Sequence, residues 1–268
     1  MLTIVLAIQI AVQARSVQPG ELVVLAITLP EARDAVRVRA FDRAVPVYAI
    51  DATNWRALVG IDLDRKPGAY RVAIDAGKGL TADETLVVLP KQFPTRRLTV
   101  DENFVNPPAS VEARIAGDAA LLTSTWAHSA VKRLWTAPFV RPVPQPANSR
   151  FGTRSIYNGQ PRTPHSGADF LSPAGTPVEA PNAGRVAVAR DLYFTGNTVI
   201  IDHGQGLFSM LAHLSVISVH EGDRINPGDV VGNVGATGRV TGPHLHWAIR
   251  VDDARVDPLS LLQLLGAR

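Results

Sequence analysis

Residues 242–251 read GPHLHWAIRV, and this stretch decides how the C-terminal part of the chain folds. A Gly-Pro turn is followed by the apolar run Leu245–Val251, a pattern that predicts a β-strand. Side chains two positions apart on a strand point to the same face. His244 and His246 can therefore reach one cleft from the start of this strand.

Short runs of the same kind extend outward from this stretch, divided by Gly, Pro and Asn turns. The predicted strands are Val178–Ala180, Gly184–Ala189, Asn197–Asp202, Leu207–Leu211, Arg224–Ile225, Val230–Val234 and Leu245–Val251. Such a series predicts an antiparallel, mostly β domain over residues 148–268.

Two further patterns, PHSGAD and LAHL, contain His165, Asp169 and His213. Five of the seven histidines of the chain fall between residues 203 and 246. A catalytic zinc site needs about three protein ligands and one open position, and imidazole nitrogen and carboxylate oxygen are suitable ligands. His165 and Asp169 supply two such ligands on a short arc. Each pattern alone is weak, but together on a Gly-rich β background they predict a metal site.

The composition limits what that site is made of. The chain has 268 residues, 46% of them apolar, and no cysteine. Disulfides, thiolate nucleophiles, cysteine-held zinc or iron–sulfur centres and lipid attachment through an N-terminal Cys are excluded. Any metal must be held by histidines and carboxylates. The sequence contains no apolar run of about 18–20 residues, so no ordinary transmembrane helix is expected.

The net charge of +3 lies in the first half of the chain. Residues 1–143 carry 17 basic and 14 acidic side chains, whereas residues 144–268 carry 10 of each. Nucleic-acid binding usually needs a clustered basic face, and a surplus of three does not indicate one. No nucleic-acid partner is expected.

Residues 1–14 are interpreted as a signal peptide. Met1–Ala14 has no charged side chain, and Val12 and Ala14 are small residues at the −3 and −1 positions of a cut before Arg15. The apolar core has the length of a signal h-region and is too short to span a bilayer. No basic residue precedes it, and the alternative is a first β-strand of the next domain. Removal of a signal would leave an exported protein without stable membrane insertion.

Residues 15–97 are predicted to form a small β domain. The expected strands are Glu21–Ile27, Val36–Phe41, Val45–Ile50, Trp55–Leu63, Tyr70–Ile74 and Glu84–Leu89. About seven short strands with turn signals between them are typical of an immunoglobulin-like sandwich. The role of this domain is left open: it could inhibit the cleft, bind or target the substrate, or serve only as a spacer. The prediction carried forward is that the N-terminal part limits access to the cleft.

Residues 98–147 are predicted to be a connector. Residues 109–135 contain no Pro and one Gly, and their apolar residues follow a helical spacing of three or four. Four prolines between residues 138 and 146 then end any helix and favour a stiff linker.

Residues 151–262 resemble the zinc metallopeptidases of the lysostaphin/LytM type, peptidase family M23. The resemblance includes FGTR at 151–154, YNGQ at 157–160 and GDRINPGDVVG at 222–232, together with the three histidine patterns. It implies a mostly β catalytic domain of the duplicated hybrid or barrel-sandwich type. It also implies one zinc ion held by His165, Asp169 and His246, with His213 and His244 as the catalytic histidines.

Four other residues are considered in relation to the site. Arg154 is predicted to bind substrate or to brace the site, with a simple salt bridge as the alternative, and Asp202 is a candidate for orienting a ligand histidine. Leu211 stands where the family usually has Tyr, and we expect it to alter how the cleft is lined. His203 is interpreted as a structural residue, because buried histidines usually satisfy hydrogen bonds.

The hypothesis is an exported zinc endopeptidase that cuts cross-link peptides or bridges of bacterial peptidoglycan, in the periplasm or the extracellular cell wall. One alternative is a catalytically inactive regulator of another wall hydrolase, although the three ligand positions are filled. A second is a phosphocarrier or lipoyl-type carrier, because GDRINPGDVVG resembles barrel-sandwich elements. A lipoyl carrier needs a lysine, and residues 144–268 contain none. The bond that is cut, the oligomeric state and any protein partner are left open.

Overall fold

The structure, a computed structural model, describes residues 7–99, 102–136, 138–147 and 151–267. It is mostly β, and its sheets are almost entirely antiparallel, as predicted. The finer assignment of the C-terminal part to a duplicated barrel-sandwich stays a prediction.

Eight N-terminal strands form two four-stranded sheets. They are β1 (Gln9–Ala14), β2 (Leu22–Thr28), β3 (Arg37–Ala40), β4 (Arg43–Ala44), β5 (Val47–Ala49), β6 (Asn54–Gly60), β7 (Gly68–Asp75) and β8 (Thr81–Val88). The first sheet has the order β1-β2-β6-β5 and the second the order β4-β3-β7-β8. Alternate residues such as Leu25, Ala57 and Val72 point between the two sheets and form one apolar core. The predicted N-terminal β-sandwich therefore has a physical basis in this packing.

The segment interpreted as the end of a signal peptide forms strand β1. It pairs with β2 along its whole length, from Gln9 opposite Thr28 to Ala14 opposite Val23. This arrangement is the one that the alternative interpretation expects. Cleavage before Arg15 stays a prediction, and it would remove this strand from the edge of the sheet.

The connector contains the expected helix. The helical elements are α1 (Glu102–Val105), a 3₁₀ turn (Ala109–Val111) and α2 (Glu112–Ala127), and a third helix, α3 (Pro258–Leu265), ends the described chain. The ring of Trp126 packs edge-on against Phe208, with centroids 5.2 Å apart, so α2 lies against the C-terminal sheet. Among the described residues, no helix is long and apolar enough to cross a membrane.

Twelve further strands complete the fold. They are β9 (Thr95–Leu98), β10 (Arg154–Tyr157), β11 (Gln160–Pro161), β12 (Gly167–Phe170), β13 (Pro177–Glu179), β14 (Gly184–Leu192), β15 (Gly196–Asp202), β16 (Leu207–Ile217), β17 (Arg224–Ile225), β18 (Val230–Val234), β19 (Leu245–Val251) and β20 (Ala254–Val256). The large sheet has the order β12-β19-β16-β15-β14-β17, and β9 pairs in parallel with β10 in a small separate sheet.

The N-terminal sandwich and the C-terminal sheet share a hydrophobic core. Leu22 and Leu58, on the outer face of the first N-terminal sheet, belong to the same buried cluster as Val251, Val256 and Leu261. Strand β2 is consequently buried on both faces, which explains its unbroken apolar sequence. The contact lies at the far end of β19 from His246, about 17 Å along the strand.

Ion pairs reinforce this junction. Arg255 donates to both carboxylate oxygens of Asp62, at 3.0 and 2.7 Å. Arg15 bridges Glu21 at 2.8 Å and Asp257 at 2.5 Å. The Arg255–Asp62 and Arg15–Asp257 pairs each join the N-terminal sandwich to the segment after β19, so they hold the two parts together.

Candidate metal centre

The large sheet sets two of the predicted metal ligands side by side. Strands β12 and β19 are antiparallel, and Asp169 lies directly opposite His246 in their register. His165 lies just before β12, and its Nε2 atom is 2.9 Å from Oδ1 of Asp169. Although His165 and Asp169 are four residues apart, their side chains are in contact, because the chain turns into β12 between them.

The three ligand atoms form a small triangle. His165 Nε2 lies 3.0 Å from His246 Nδ1, and His246 Nδ1 lies 2.8 Å from Asp169 Oδ1. Bonds of about 2.0–2.1 Å to a tetrahedral zinc ion separate its ligands by about 3.3 Å. The His₂Asp donor set and these separations fit one zinc ion, and they leave one coordination position for water.

His213 reaches the site through an irregularity in β16. Asn197 pairs with Leu214 and Val199 pairs with Leu211, so two residues of β16 face one of β15. Such a bulge bends a strand and re-aims a side chain. His213 has a backbone φ of 65°, a left-handed conformation that is uncommon for a residue other than glycine. Its ring centroid lies 4.9 Å from that of His244 and 5.9 Å from that of His246.

Backbone carbonyls fix the orientation of both predicted catalytic histidines. Nδ1–H of His213 donates to the carbonyl of Thr237, and Nδ1–H of His244 donates to the carbonyl of Gly242, each at 2.9 Å. A carbonyl only accepts, so each neutral ring carries its proton on Nδ1 and keeps a lone pair on Nε2. Nε2 of His244 faces the three predicted ligands and lies 3.9 Å from Oδ1 of Asp169.

Burial controls the protonation of the site. It lowers the pKa of His213 from 6.5 to about 3 and, as the main cause, also lowers the pKa of His246. Burial by itself would raise the pKa of Asp169, but hydrogen bonds with His165 and His246 outweigh it and hold that pKa well below 3.8. An ionised carboxylate beside neutral imidazoles is the state in which these side chains bind a metal.

These groups line an open cleft of about 460 Å³. Three of its walls come from β9, β10 and the loop that joins β18 to β19. Lining side chains include Arg96, Ser155, Tyr157, Phe194, Arg239 and Thr241. Among the described residues, strands β1–β8 contribute no side chain to this lining, which begins at Arg96 on β9.

The structure places three other residues singled out in the sequence away from the lining of the cleft. Arg154 lies exposed on β10 and is not among the residues that line the cleft, unlike its neighbour Ser155. Asp202 accepts hydrogen bonds from Ser129 Oγ and from the backbone N–H of Ala130 and Gly204, so it braces the connector instead of orienting a metal ligand. Leu211 is fully buried in the shared core and does not line the cleft.

The structural interpretation of His203 is confirmed. Its ring is completely buried, with Nδ1 2.7 Å from the carbonyl of Ala183 and Nε2 2.9 Å from Oγ of Ser209. Burial lowers the pKa of His203 to about 4, so the ring is neutral and saturated with hydrogen bonds.

Sequence reasoning missed three residues that shape the site. Thr237 orients His213 through its carbonyl, and Arg239 lines the cleft two residues later. Gly167 lies against His246, where an added Cβ would sit 2.7 Å from Nε2. The only available signal was their position between, or next to, the histidine patterns, in the segments GATGRVTG and HSGAD.

Comparison with known proteins gives the family of the chain. Residues 163–258 match the model of peptidase family M23. A crystal structure of a peptidase M23 from Pseudomonas aeruginosa is 35% identical, with a TM-score of 0.73, and the match covers 93% of this chain and 96% of that one. The chain belongs to peptidase family M23, a family of metallopeptidases, as the resemblance of its sequence implied.

Relatives with named activities match a little over a third of the chain. Peptidoglycan DD-endopeptidase ShyA of Vibrio cholerae is 41% identical over 105 residues, which are 39% of this chain and 24% of the relative. DD-carboxypeptidase/endopeptidase Mpg of Neisseria meningitidis is 42% identical over 97 residues, which are 36% of this chain and 22% of the relative. The matched segment thus spans less than a quarter of the length of these curated relatives.

Proposed function

We propose that this protein is an exported zinc metalloendopeptidase that hydrolyses cross-link peptides or bridges of bacterial peptidoglycan. The observation that carries the proposal is the arrangement of His165, Asp169 and His246, whose ligand atoms lie within 3.0 Å of one another. The rings of His213 and His244 lie beside these residues, and the backbone carbonyls that bind Nδ1 leave Nε2 available for proton transfer.

In this proposal, His165, Asp169 and His246 hold the zinc ion. Zinc bound there supplies a Lewis acid and lowers the pKa of a water molecule toward about 7. Asp169 contributes a negative charge, and its position opposite His246 keeps the ligand atoms of these two residues close together. Burial lowers the pKa of His246, which favours the neutral ring whose nitrogen is available as a ligand.

His213 and His244 handle protons. With Nδ1–H held by a backbone carbonyl, Nε2 of either ring accepts a proton from the attacking water and later donates it to the leaving amine. Both rings also become cationic donors when they are protonated, which stabilises the oxyanion that develops on the scissile carbonyl. The carbonyls of Thr237 and Gly242 keep the rings from rotating away during these transfers.

The relatives support the proposed substrate and location. ShyA is named as a peptidoglycan DD-endopeptidase and Mpg as a DD-carboxypeptidase/endopeptidase, and both are about 40% identical to this chain over about 100 residues. Peptidoglycan lies outside the cytoplasmic membrane, so the proposal includes export to the periplasm or cell wall, with residues 1–14 as the signal. It also keeps the division into a sandwich at 15–97, a connector at 98–147 and a peptidase domain at 148–268.

The test uses the full chain, purified and incubated with isolated peptidoglycan. We expect release of un-cross-linked peptides, and mass analysis of the products identifies the bond that is cut. A chain that holds one zinc ion and yet releases no peptide from any wall preparation would refute the proposed activity.

A further inference from the structure

Arg239 occupies an unusual position in the cleft. It lies on the loop between β18 and β19 and lines the same cavity as the metal ligands and the two catalytic histidines. Its guanidinium carbon lies 4.5 Å from the ring centroid of Phe194 and 5.9 Å from that of Tyr157. Stacking on aromatic rings holds a guanidinium flat while its N–H groups stay available at the edge.

The backbone around Arg239 is fixed to the catalytic machinery. Its N–H donates to the carbonyl of Phe194 at 2.9 Å, which ties the loop to the turn before β15. Gly238 packs so closely against this turn that an added Cβ would lie 2.7 Å from the carbonyl oxygen of Phe194. Thr237, two residues before Arg239, accepts the hydrogen bond of His213. Arg239 is thereby held in a constant relation to the reacting groups.

The charge of Arg239 has no counter-ion among the described residues. In the part of the chain that the structure describes, no ion pair joins Arg239 to a carboxylate, and Asp169, the acidic side chain in the cleft lining, is one of the predicted metal ligands. Burial is the main cause that lowers the pKa of Arg239, and the nearby cation Arg162 adds to it. A second guanidinium, Arg96, lines the same cleft and uses its Nε to bind Ser155 Oγ at 2.9 Å. A partly desolvated cation without a partner gains most from an incoming anion.

We propose that Arg239 binds a carboxylate of the peptide substrate and makes the cleft selective for anionic cross-link peptides over neutral bridges such as glycine chains. The planar guanidinium, held by Phe194 and Tyr157, presents paired N–H donors that match the two oxygens of a carboxylate. This inference rests on the proposed peptidase activity and names the chemistry that the cleft selects.

The test compares two synthetic cross-linked peptides that differ only in their carboxylates, one with free carboxylates and one with every carboxylate amidated. Steady-state kinetics are measured with the zinc-loaded full chain and with Arg239→Gln and Arg239→Lys. Arg190→Gln is the matched control, because Arg190 is an exposed arginine of the same sheet that pairs with Glu221 outside the cleft. Thermal unfolding of each variant reports whether the fold is intact.

For Arg239→Gln we expect KM for the carboxylate peptide to rise about tenfold to a hundredfold, the worth of a charge-assisted hydrogen bond, with kcat little changed. The amidated peptide should be cleaved equally by both proteins, and Arg239→Lys should fall between them. If Arg239→Gln cleaves both peptides less well to the same extent and unfolds at a lower temperature, Arg239 only braces the loop and the inference is overturned. Unchanged cleavage of both peptides by Arg239→Gln would also overturn it.

Failure of the proposed activity is recognised separately. If the unsubstituted chain cleaves neither peptide, calorimetric titration of the same two peptides decides the role of Arg239 on its own. Tighter binding of the carboxylate peptide that is lost in Arg239→Gln supports the inference. Equal binding of the two peptides overturns it.

Discussion

Asp169 and His246 face each other across strands β12 and β19, with Oδ1 of the carboxylate 2.8 Å from Nδ1 of the imidazole. Antiparallel pairing fixes this distance through the backbone, because directly opposed residues on one face of a sheet have neighbouring side chains. Two of the three predicted metal ligands are therefore placed by paired strands of the large sheet, and His165 joins them from the segment just before β12.

The first prediction concerns the metal ligands. Replacement of His246 by Ala removes one of three ligands, so we expect the zinc content of the purified full chain to fall from one ion to nearly none. Hydrolysis of peptidoglycan should fall by more than about a hundredfold. His220→Ala is the control, because His220 lies exposed in a loop outside the cleft. Retention of stoichiometric zinc by His246→Ala, measured by mass spectrometry of the metal, would show that the ligand assignment is wrong.

The second prediction separates proton transfer from metal binding. His213→Ala should keep its zinc, because His213 lies outside the ligand triangle, and should lose about 10²- to 10⁴-fold in kcat. His244→Ala should behave in the same way. His128→Ala, which changes a histidine at the end of α2, should leave kcat unchanged. Loss of zinc from His213→Ala would instead make this residue a ligand.

A third prediction tests the close packing around His246. An added Cβ at Gly167 would lie 2.5 Å from the carbonyl oxygen of Trp247 and 2.7 Å from Nε2 of His246. Since β12 is paired with β19, Gly167→Ala should displace His246, lower zinc affinity by about tenfold or more and destabilise the fold by about 1–3 kcal/mol. Gly117→Ala, in an open position of α2, should instead stabilise the chain by about 0.5–1 kcal/mol. Zinc titration and chemical denaturation measure the two effects, and equal behaviour of the variants would refute the packing argument.

The fourth prediction concerns the acid stability of the junction between sandwich and peptidase parts. Burial of Asp62 opposes its ionisation, but hydrogen bonds from Arg255 outweigh this and lower its pKa from 3.8 to about 2. A carboxyl whose pKa is depressed in the folded state stabilises the fold above its unfolded pKa, and this contribution is lost as the pH falls from about 4 to about 2.

Asp62→Asn should therefore lower the free energy of unfolding by about 1 kcal/mol at pH 7, after allowance for solvent screening, and the difference should shrink as the pH approaches 3. Urea denaturation at pH 7, 5 and 3 measures it. Asp83→Asn, in an exposed pair with Arg71, should change the free energy by less than about 0.5 kcal/mol. A difference for Asp62→Asn that stays constant with pH would contradict the assignment.

The fifth prediction concerns the shared core. Expression of residues 148–268 alone removes Leu22 and Leu58 from the cluster that contains Val251, Val256 and Leu261. Full exposure of one such side chain would cost about 1.5–3 kcal/mol, and partial exposure a fraction of that. We expect this fragment to be less stable than the full chain and prone to aggregation. In the full chain, Leu58→Ala should cost about 2–5 kcal/mol, whereas Leu89→Ala, at an exposed position, should cost less than about 0.5 kcal/mol. A fragment as stable as the full chain would show that the sandwich and the peptidase part are independent.

Much of the fold was readable in the sequence because strands, turns and helices carry local signals. The run before residue 251 forms β19 with the predicted bounds, and the helical spacing between residues 109 and 135 corresponds to α2. The strand predicted at Leu207–Leu211 is longer in the structure and ends at Ile217, because the bulge at His213 lets β16 continue past a residue with a left-handed backbone. The short elements β10, β12 and α3 have weaker local patterns and were not predicted.

The sequence by itself determined the chemistry that is available. Its histidine patterns, the absence of cysteine and the alternation of strand and turn residues specify a nitrogen and oxygen metal site on a β scaffold. Only the tertiary structure decided which groups meet. It brought His165 to His246 across 81 positions of sequence. It also oriented His213 through Thr237, placed no carboxylate of the described residues in an ion pair with Arg239, and buried Leu211 and Asp202 away from the cleft. These outcomes depend on strand register and packing between distant segments, and no local pattern of residues records such contacts.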